Sequence, residues 1–460
     1  MKRNLFTIFA SILFMATLLS CHKEEPLNVD LSTYSADNPT TNTELDVWLK
    51  STFLDEYNMD VIYRYNSYYH DNDKIVAPTK LETIRPQMQT VLDGFILPYR
   101  RVAGAPFIKK MVPKEWVLYG SGAYQSDGSM ILATASAGRR VTIYDLNNFD
   151  VNNSSLVVGK LKTIHHEFTH ILNQLVPMPT DFQTITKSTY NATWTTVADA
   201  TARDNGYVTP YASSQPGEDF AETVSHLLVF GQAWFDARAN ASTAVGKAAL
   251  KAKEASVVQY FNVNLGIDFR TLQRDIQNVV RNQYKYQQAS FRYWVNQGLF
   301  KTVTINLEDA VYNSNAISAD FATAYNAYKA AVLAYSATQK YHVDYIQLRF
   351  ENANTVTVRS AFSNATTQYF GDYTFSYALN TTTGATTFTK VANGTGTTYN
   401  NGAIFATSFT NTIQAYLTNK TFVADWMPAT ISAGLYNSYG GFYQNGNTAN
   451  NFYGLLGQTL

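Results

Sequence analysis

The spacing of apolar residues divides the chain into stretches of different character. A helical pattern begins near Thr43-Glu44, and a second helix is predicted over residues 88–100. Short β-rich runs follow at 116–118, 130–134 and 140–146, punctuated by Gly120, Gly122, Gly128 and Gly138. Long helical periodicities then occupy residues 154–286. After roughly Phe300 the pattern changes again: Tyr345-Ile346-Gln347-Leu348-Arg349-Phe350 and Asp372-Tyr373-Thr374-Phe375-Ser376-Tyr377 alternate as antiparallel strands do. A helix over 319–337 leads into this charge-poor region rich in Thr, Asn, Gly, Tyr and Phe, and Gly440-Gly441 and Asn445-Gly446-Asn447 mark turns. No repeat with a period of about 20–50 residues is visible.

The first 43 residues follow other rules. Lys2 and Arg3 precede an apolar stretch, 5–19, that is too short to span a bilayer comfortably. Leu18-Leu19-Ser20-Cys21 resembles a bacterial lipobox, in which the Cys21 thiol is lipidated and the segment before it is removed. Cys21 is the sole cysteine, so no disulfide can form and the fold must stand on its core. His22-Lys23-Glu24-Glu25 is similar to the surface-export signal of lipoproteins in Bacteroides-type bacteria. Residues 1–21 are thus expected to be a lipoprotein signal peptide and 22–43 a flexible tether. The expected location is the outer membrane, anchored through Cys21 and exposed at the cell surface, with a periplasm-facing placement as the alternative.

Composition narrows the partners. The 460 residues have room for roughly two or three domains. Apolar residues make up 45% of the chain, enough for a sizeable core. Charged residues are 15% and cancel to a net charge of zero. A nucleic-acid partner would require a basic face for its phosphates, so this balance argues against that class. The 32 tyrosines and 27 phenylalanines serve equally as core material or as ligand-stacking surface.

The chemistry concentrates in His165-His166-Glu167-Phe168-Thr169-His170, which contains HExxH. Histidines at i and i+4 lie one helical turn apart and can reach one Zn²⁺, with the intervening glutamate beside the activated water as general base. About one or two chains in a hundred of this length carry HExxH by chance, so its surroundings must decide. Asn153, Ser154 or Ser155 can cap the helix, and Pro177 ends it. Leu161, Ile164, Phe168, Ile171, Leu172 and Leu175 form one apolar stripe, and His166 and His170 point away from it. His165 falls near the stripe's edge and reads as structural.

Zinc requires a third protein ligand and an open position. Asn173 and Val176 stand where the metzincin arrangement would place Gly and His. His226 is the histidine of a nearby helix. A stronger candidate is Glu218, within Tyr211-Ala212-Ser213-Ser214-Gln215-Pro216-Gly217-Glu218-Asp219-Phe220-Ala221-Glu222. Ser214 or Gln215 can cap a helix there, with Pro216 in its first turn. Phe220, Val224, Leu227 and Leu228 form its apolar face, with Glu218 and Glu222 opposite.

HEFTH followed by this acidic helix resembles the gluzincin zinc metallopeptidases, and the stretch 211–222 is similar to their lethal-factor-type branch. The resemblance implies Glu218 as third ligand and Glu222 as the acid that orients a ligating histidine. It also implies Tyr211, with Tyr207 nearby, as the residue that steadies the oxyanion. By analogy of fold, the strand over 130–136 would line the substrate cleft. The lipobox, HHEFTH and EDFAE together resemble zinc metallohydrolase lipoproteins found beside substrate-import systems of Bacteroides-type bacteria. The expected fold class is α+β: a zincin-like metallopeptidase domain with a mixed sheet and active-site helices over 44–300, then a β-rich C-terminal domain over 301–460. The expected function is a zinc-dependent hydrolase of peptides or proteins, with Glu167 as general base, beside an outer-membrane importer. The alternative is a surface substrate-binding lipoprotein whose zinc site is structural or vestigial. A zinc hydrolase acting on a sugar derivative is a third reading. No aminopeptidase-type glycine-methionine-glutamate-asparagine motif is present, which leans against exopeptidase action.

Overall fold

The computed structural model describes residues 43–70, 73–125, 128–136 and 138–460. The signal peptide, Cys21 and nearly all of the tether expected from the sequence lie outside them. Helix α1 (Glu44–Leu49) is capped at its start, where Thr43 N donates to Asp46 Oδ2 at 3.0 Å and Asp46 N returns a bond to Thr43 Oγ1 at 3.3 Å.

From Lys50 onward the chain is α+β. Strand β1 (Asp60–Ile62) precedes helix α2 (Leu81–Val91), which passes through a π-helical stretch at Leu92–Ile96 into α3 (Leu97–Ala103). The second helix therefore begins earlier than its apolar spacing predicts, with Pro86 inside it. Strands β2 (Glu115–Leu118), β3 (Ala123–Tyr124), β4 (Met130–Ile131), β5 (Ala133–Ser136) and β6 (Arg140–Ile143) follow. β1, β2 and β6 run parallel, and β5 closes the sheet antiparallel to β6, in the order β1-β2-β6-β5. β5 is thus an edge strand. The β3–β4 hairpin forms a separate two-stranded ribbon.

Helix α4 (Ser154–Leu175) packs against the π-helical stretch and α3 through rings: Phe168 meets Phe95 at 4.8 Å and Tyr99 at 5.1 Å between centroids. The close approach depends on Gly94, where a Cβ would stand 2.6 Å from Leu161 Cδ2. Helices α5 (Pro216–Val229), α6 (Ala244–Gln259) and α7 (Phe269–Asn282), with the shorter helix Gly231–Asn240, extend the helical layer. Between α4 and α5 the chain makes only short helical pieces.

The β-rich end is an eight-stranded antiparallel barrel. Its strands are β7 (Thr302–Ile305), β8 (His342–Phe350), β9 (Thr355–Ser363), β10 (Gln368–Leu379), β11 (Ala385–Lys390), β12 (Phe422–Trp426), β13 (Tyr439–Gln444) and β14 (Asn447–Gly457). Each strand pairs with the next along the chain, and the last, β14, pairs with the first, β7, to close it. Side chains such as Phe350, Phe375, Phe388, Phe422, Phe442 and Phe452 pack as one core, so this end of the chain is filled rather than hollow. Helix α8 (Ala319–Ala334) adds Phe321, Tyr325 and Tyr328 to that core. Phe291 and Trp294, from the chain just before the barrel, belong to it as well, and Trp426 Nε1 donates to Ala289 O at 2.9 Å. Among the described residues, no helix is long and apolar enough to cross a membrane.

Candidate metal centre

Two helices deliver the site. Asn153 caps α4, its side chain accepting from Ser155 N at 3.1 Å and Leu156 N at 3.3 Å. Leu161, Ile164, Phe168, Ile171 and Leu172 are buried as the stripe predicts, but Leu175, in the last turn, is 60% exposed. His165 is wholly enclosed, its Nε2 3.1 Å from Gly94 O and its ring against Phe95 and Tyr99. Burial pushes its imidazole down to about 4, so it stays neutral and structural. On α5, Gln215 stands at the N-cap, yet its side chain does not cap; Nε2 donates to Glu218 Oε1 at 3.3 Å instead. Phe220, Val224, Leu227 and Leu228 bury the opposite face completely.

The two polar faces meet. His166 Nε2 lies 3.0 Å from Glu218 Oε2 and 3.1 Å from His170 Nε2, and His170 Nε2 lies 3.3 Å from the same carboxylate oxygen. These three groups can hold a metal ion. Bonds of about 2.0–2.1 Å in a tetrahedron set donor atoms about 3.3 Å apart, so the triangle has the size of one face of a zinc site. Two imidazoles and one carboxylate, with a fourth direction left open, are the donor set of a catalytic rather than a closed structural zinc site. Burial alone would lower the basicity of His166, but its contacts with Glu218 and Glu222 outweigh that and hold it at about 9 in the metal-free chain. Glu218 is displaced the other way: burial raises it, yet both imidazoles keep it well below the usual carboxylate range.

Residues 38–270, just over half of the chain, match the profile of a family described as "Putative zinc-binding metallo-peptidase". The chain belongs to this zinc-binding metallopeptidase family. A solved crystal structure of "a putative zinc-binding metallo-peptidase from Bacteroides caccae" is 27% identical to it, with 53% of this chain and 94% of that chain covered and a TM-score of 0.45. No curated protein matches.

Around the metallopeptidase triangle, Glu222 is almost wholly enclosed. Its Oε1 stands 2.8 Å from His166 Nδ1, away from the line along which that ring N–H donates, and its Oε2 accepts from Thr209 Oγ1 at 2.9 Å. Glu167 lines a cleft of ≈ 220 Å³ together with Tyr211, Trp194 and the residues of β4 and the start of β5. Burial raises the Glu167 carboxyl above its ordinary value, the direction that makes it a stronger proton acceptor. Tyr211 packs its ring 6.0 Å from that of His166, and burial, then the charge of Glu218 and a hydrogen bond to it, keep its phenol protonated.

The rival residues go elsewhere. His226 is buried, its Nδ1 2.7 Å from the Glu222 carbonyl and its ring stacked on Phe230, outside the metal triangle. Tyr207 is wholly buried and spends its hydroxyl on Thr186 O at 3.1 Å. Three residues of the site were missed from the sequence. Lys162 stands one turn before His166, a spacing that shows its face of the helix but not its partner Glu222; Thr209 and Trp194 carry no pattern that could have found them.

Proposed function

We propose that this chain is a zinc-dependent peptidase cleaving an amide in a peptide or protein. The observation that carries the reading is the convergence of His166 Nε2, His170 Nε2 and Glu218 Oε2 beside a cleft that Glu167 and Tyr211 share. Bound there, zinc supplies Lewis acidity, polarising the scissile carbonyl and acidifying the attacking water. Glu167, raised above its ordinary value by burial, takes the water's proton and passes it to the leaving amine. The Tyr211 hydroxyl donates to the oxygen that becomes negative as the carbonyl is attacked. The edge strand β5, with one side unpaired in its sheet, offers main-chain groups to an extended substrate, as sheet edges do for peptides. An intact general base argues against a merely structural zinc site, which has no use for one.

Metal analysis of the purified chain, paired with a peptide-library digest, tests this. The expected result is stoichiometric zinc and cleavage that a chelator stops and zinc restores. Stoichiometric zinc with no peptide cut in the library would overturn the peptidase reading.

The setting we propose is the outer membrane, with Cys21 as the lipid attachment point and an importer of digestion products nearby. The support is the sequence alone, in the Leu18-Leu19-Ser20-Cys21 tetrad and the residues after it. Incorporation of labelled fatty acid into the wild type but not into Cys21→Ser is the expected outcome; equal labelling removes the anchor.

A further inference from the structure

Lys162 sits one helical turn before His166 on α4, on the same face. Its Nζ is 2.8 Å from Glu222 Oε1, the oxygen that also stands 2.8 Å from His166 Nδ1. The side chain of Glu222 is 2% exposed and that of Lys162 26%. An enclosed carboxylate needs a counter-charge and hydrogen bonds to stay ionised in place. Thr209 supplies a hydrogen bond but no charge. His226 lies 3.9 Å from Glu222 Oε2 and directs its Nδ1 at the Glu222 main-chain carbonyl instead. His166 cannot be the counter-charge when a metal holds its Nε2, because a ligating imidazole is neutral. Among the described residues, the cation in contact with Glu222 is Lys162.

We propose that Lys162 is a positioning residue of the metal centre: it anchors the Glu222 carboxylate, whose Oε1 stands 2.8 Å from His166 Nδ1, and through that charged contact sets zinc affinity. The line runs from ammonium to carboxylate to imidazole, and each link is a contact of 2.8 Å. Lys162 also borders the cleft beside Glu167. Because Lys162 acts on the metal ligands through Glu222, its effect on the reaction falls on turnover more than on substrate binding. The inference rests on the zinc-site reading and adds to it a residue outside the ligand set.

The test compares Lys162→Met and Lys162→Arg with the wild type in the full chain. Zinc affinity is read by competition with a chromophoric chelator, kcat and KM on a cleaved peptide, and thermal unfolding on the metal-free proteins. Lys162→Met is expected to weaken zinc binding about 10-fold to 100-fold, the range seen when partners of metal ligands are lost. It should lower kcat with KM little changed, and Lys162→Arg should recover most of both. Wild-type zinc affinity in Lys162→Met overturns the inference while leaving the zinc site standing. A rise in KM alone also overturns it, assigning Lys162 to substrate contact. A Lys162→Met protein that unfolds early without metal, and is not rescued by Lys162→Arg, overturns it in favour of a general role in folding. Failure of the wild type itself to bind zinc would instead remove the reading on which the inference stands.

Discussion

Asp219 and Lys253 form an ion pair 2.6 Å long in which neither side chain has any exposed surface. Lys253 also donates to Gly206 O at 2.8 Å and lies 3.9 Å from the Tyr207 ring centre, while Asp219 accepts from Tyr190 Oη at 2.9 Å. The pair ties α5 to α6. Asp219 follows Glu218 directly, and successive residues on a helix point about 100° apart. Fixing Asp219 on one side of α5 therefore fixes the rotation that aims Glu218 at the two imidazoles.

Removing one partner leaves the other charge buried and alone. Lys253→Met is expected to lower stability by about 3–5 kcal/mol, the range for breaking an enclosed pair, read from denaturant unfolding. Because α5 then loses one of the contacts that set its rotation beside Glu218, zinc affinity should fall in the same variant. A double replacement, Asp219→Leu with Lys253→Met, should recover part of the stability. Equal stability in wild type and Lys253→Met would show that the pair does not hold the helix.

Glu167→Gln keeps the size of the side chain and removes its capacity to accept a proton. Zinc content should stay at the wild-type level, since Glu167 is not among the converging ligands. The rate should drop by about 10²-fold to 10⁴-fold, as for loss of a general base. An unchanged kcat takes Glu167 out of the reaction, whatever the metal content.

Much of the site was legible because helical periodicity is local. The i, i+4 spacing of His166 and His170, the apolar stripe from Leu161 to Leu172 and the buried face Phe220-Val224-Leu227-Leu228 all follow from 3.6 residues per turn. What was hidden depends on distant segments meeting. Lys162 and Glu222 are 60 positions apart, and nothing near Lys162 announces its partner. Gln215 was readable as a cap by type, but Glu218 competes for its amide. The four residues of β7 are too few for alternation to show, and only pairing with β8 and β14 makes them a strand. The helix Thr397–Ile404 is built largely from threonine, asparagine and glycine, poor helix formers, and Ala406–Phe409 is a single turn. Packing carries them: Phe409 stacks on Tyr373 at 3.6 Å.

Tyr211→Phe removes a hydroxyl and nothing else. Its ring packing against His166 and Trp194 survives the change, so the fold should be that of the wild type, while the lost hydrogen bond to Glu218 makes a modest drop in zinc affinity the expected side effect. Loss of one donor to the developing oxyanion costs about 10²-fold to 10³-fold in kcat. KM should be nearly constant, because the bond strengthens only as charge develops. A change confined to KM would place Tyr211 in ground-state binding.

His166 gives the metal-free protein a pH dependence of definite sign. Burial lowers its basicity, but Glu218 and Glu222 more than compensate and hold the folded imidazole at about 9, against about 6.5 in an unfolded chain. Between those two values the folded state binds the proton and the unfolded state does not. The contribution of His166 to stability is therefore complete below about pH 6.5 and disappears as pH rises through about 9. The metal-free protein should lose on the order of 1–3 kcal/mol across that window. Zinc displaces the same proton, so the loaded protein should lack this slope, and zinc binding should release protons most strongly on the acid side of pH 9. Denaturant melts of both forms at pH 6, 7.5 and 9 check the point. A metal-free protein that gains stability from pH 6.5 to 9 would show that the carboxylates do not hold His166 protonated.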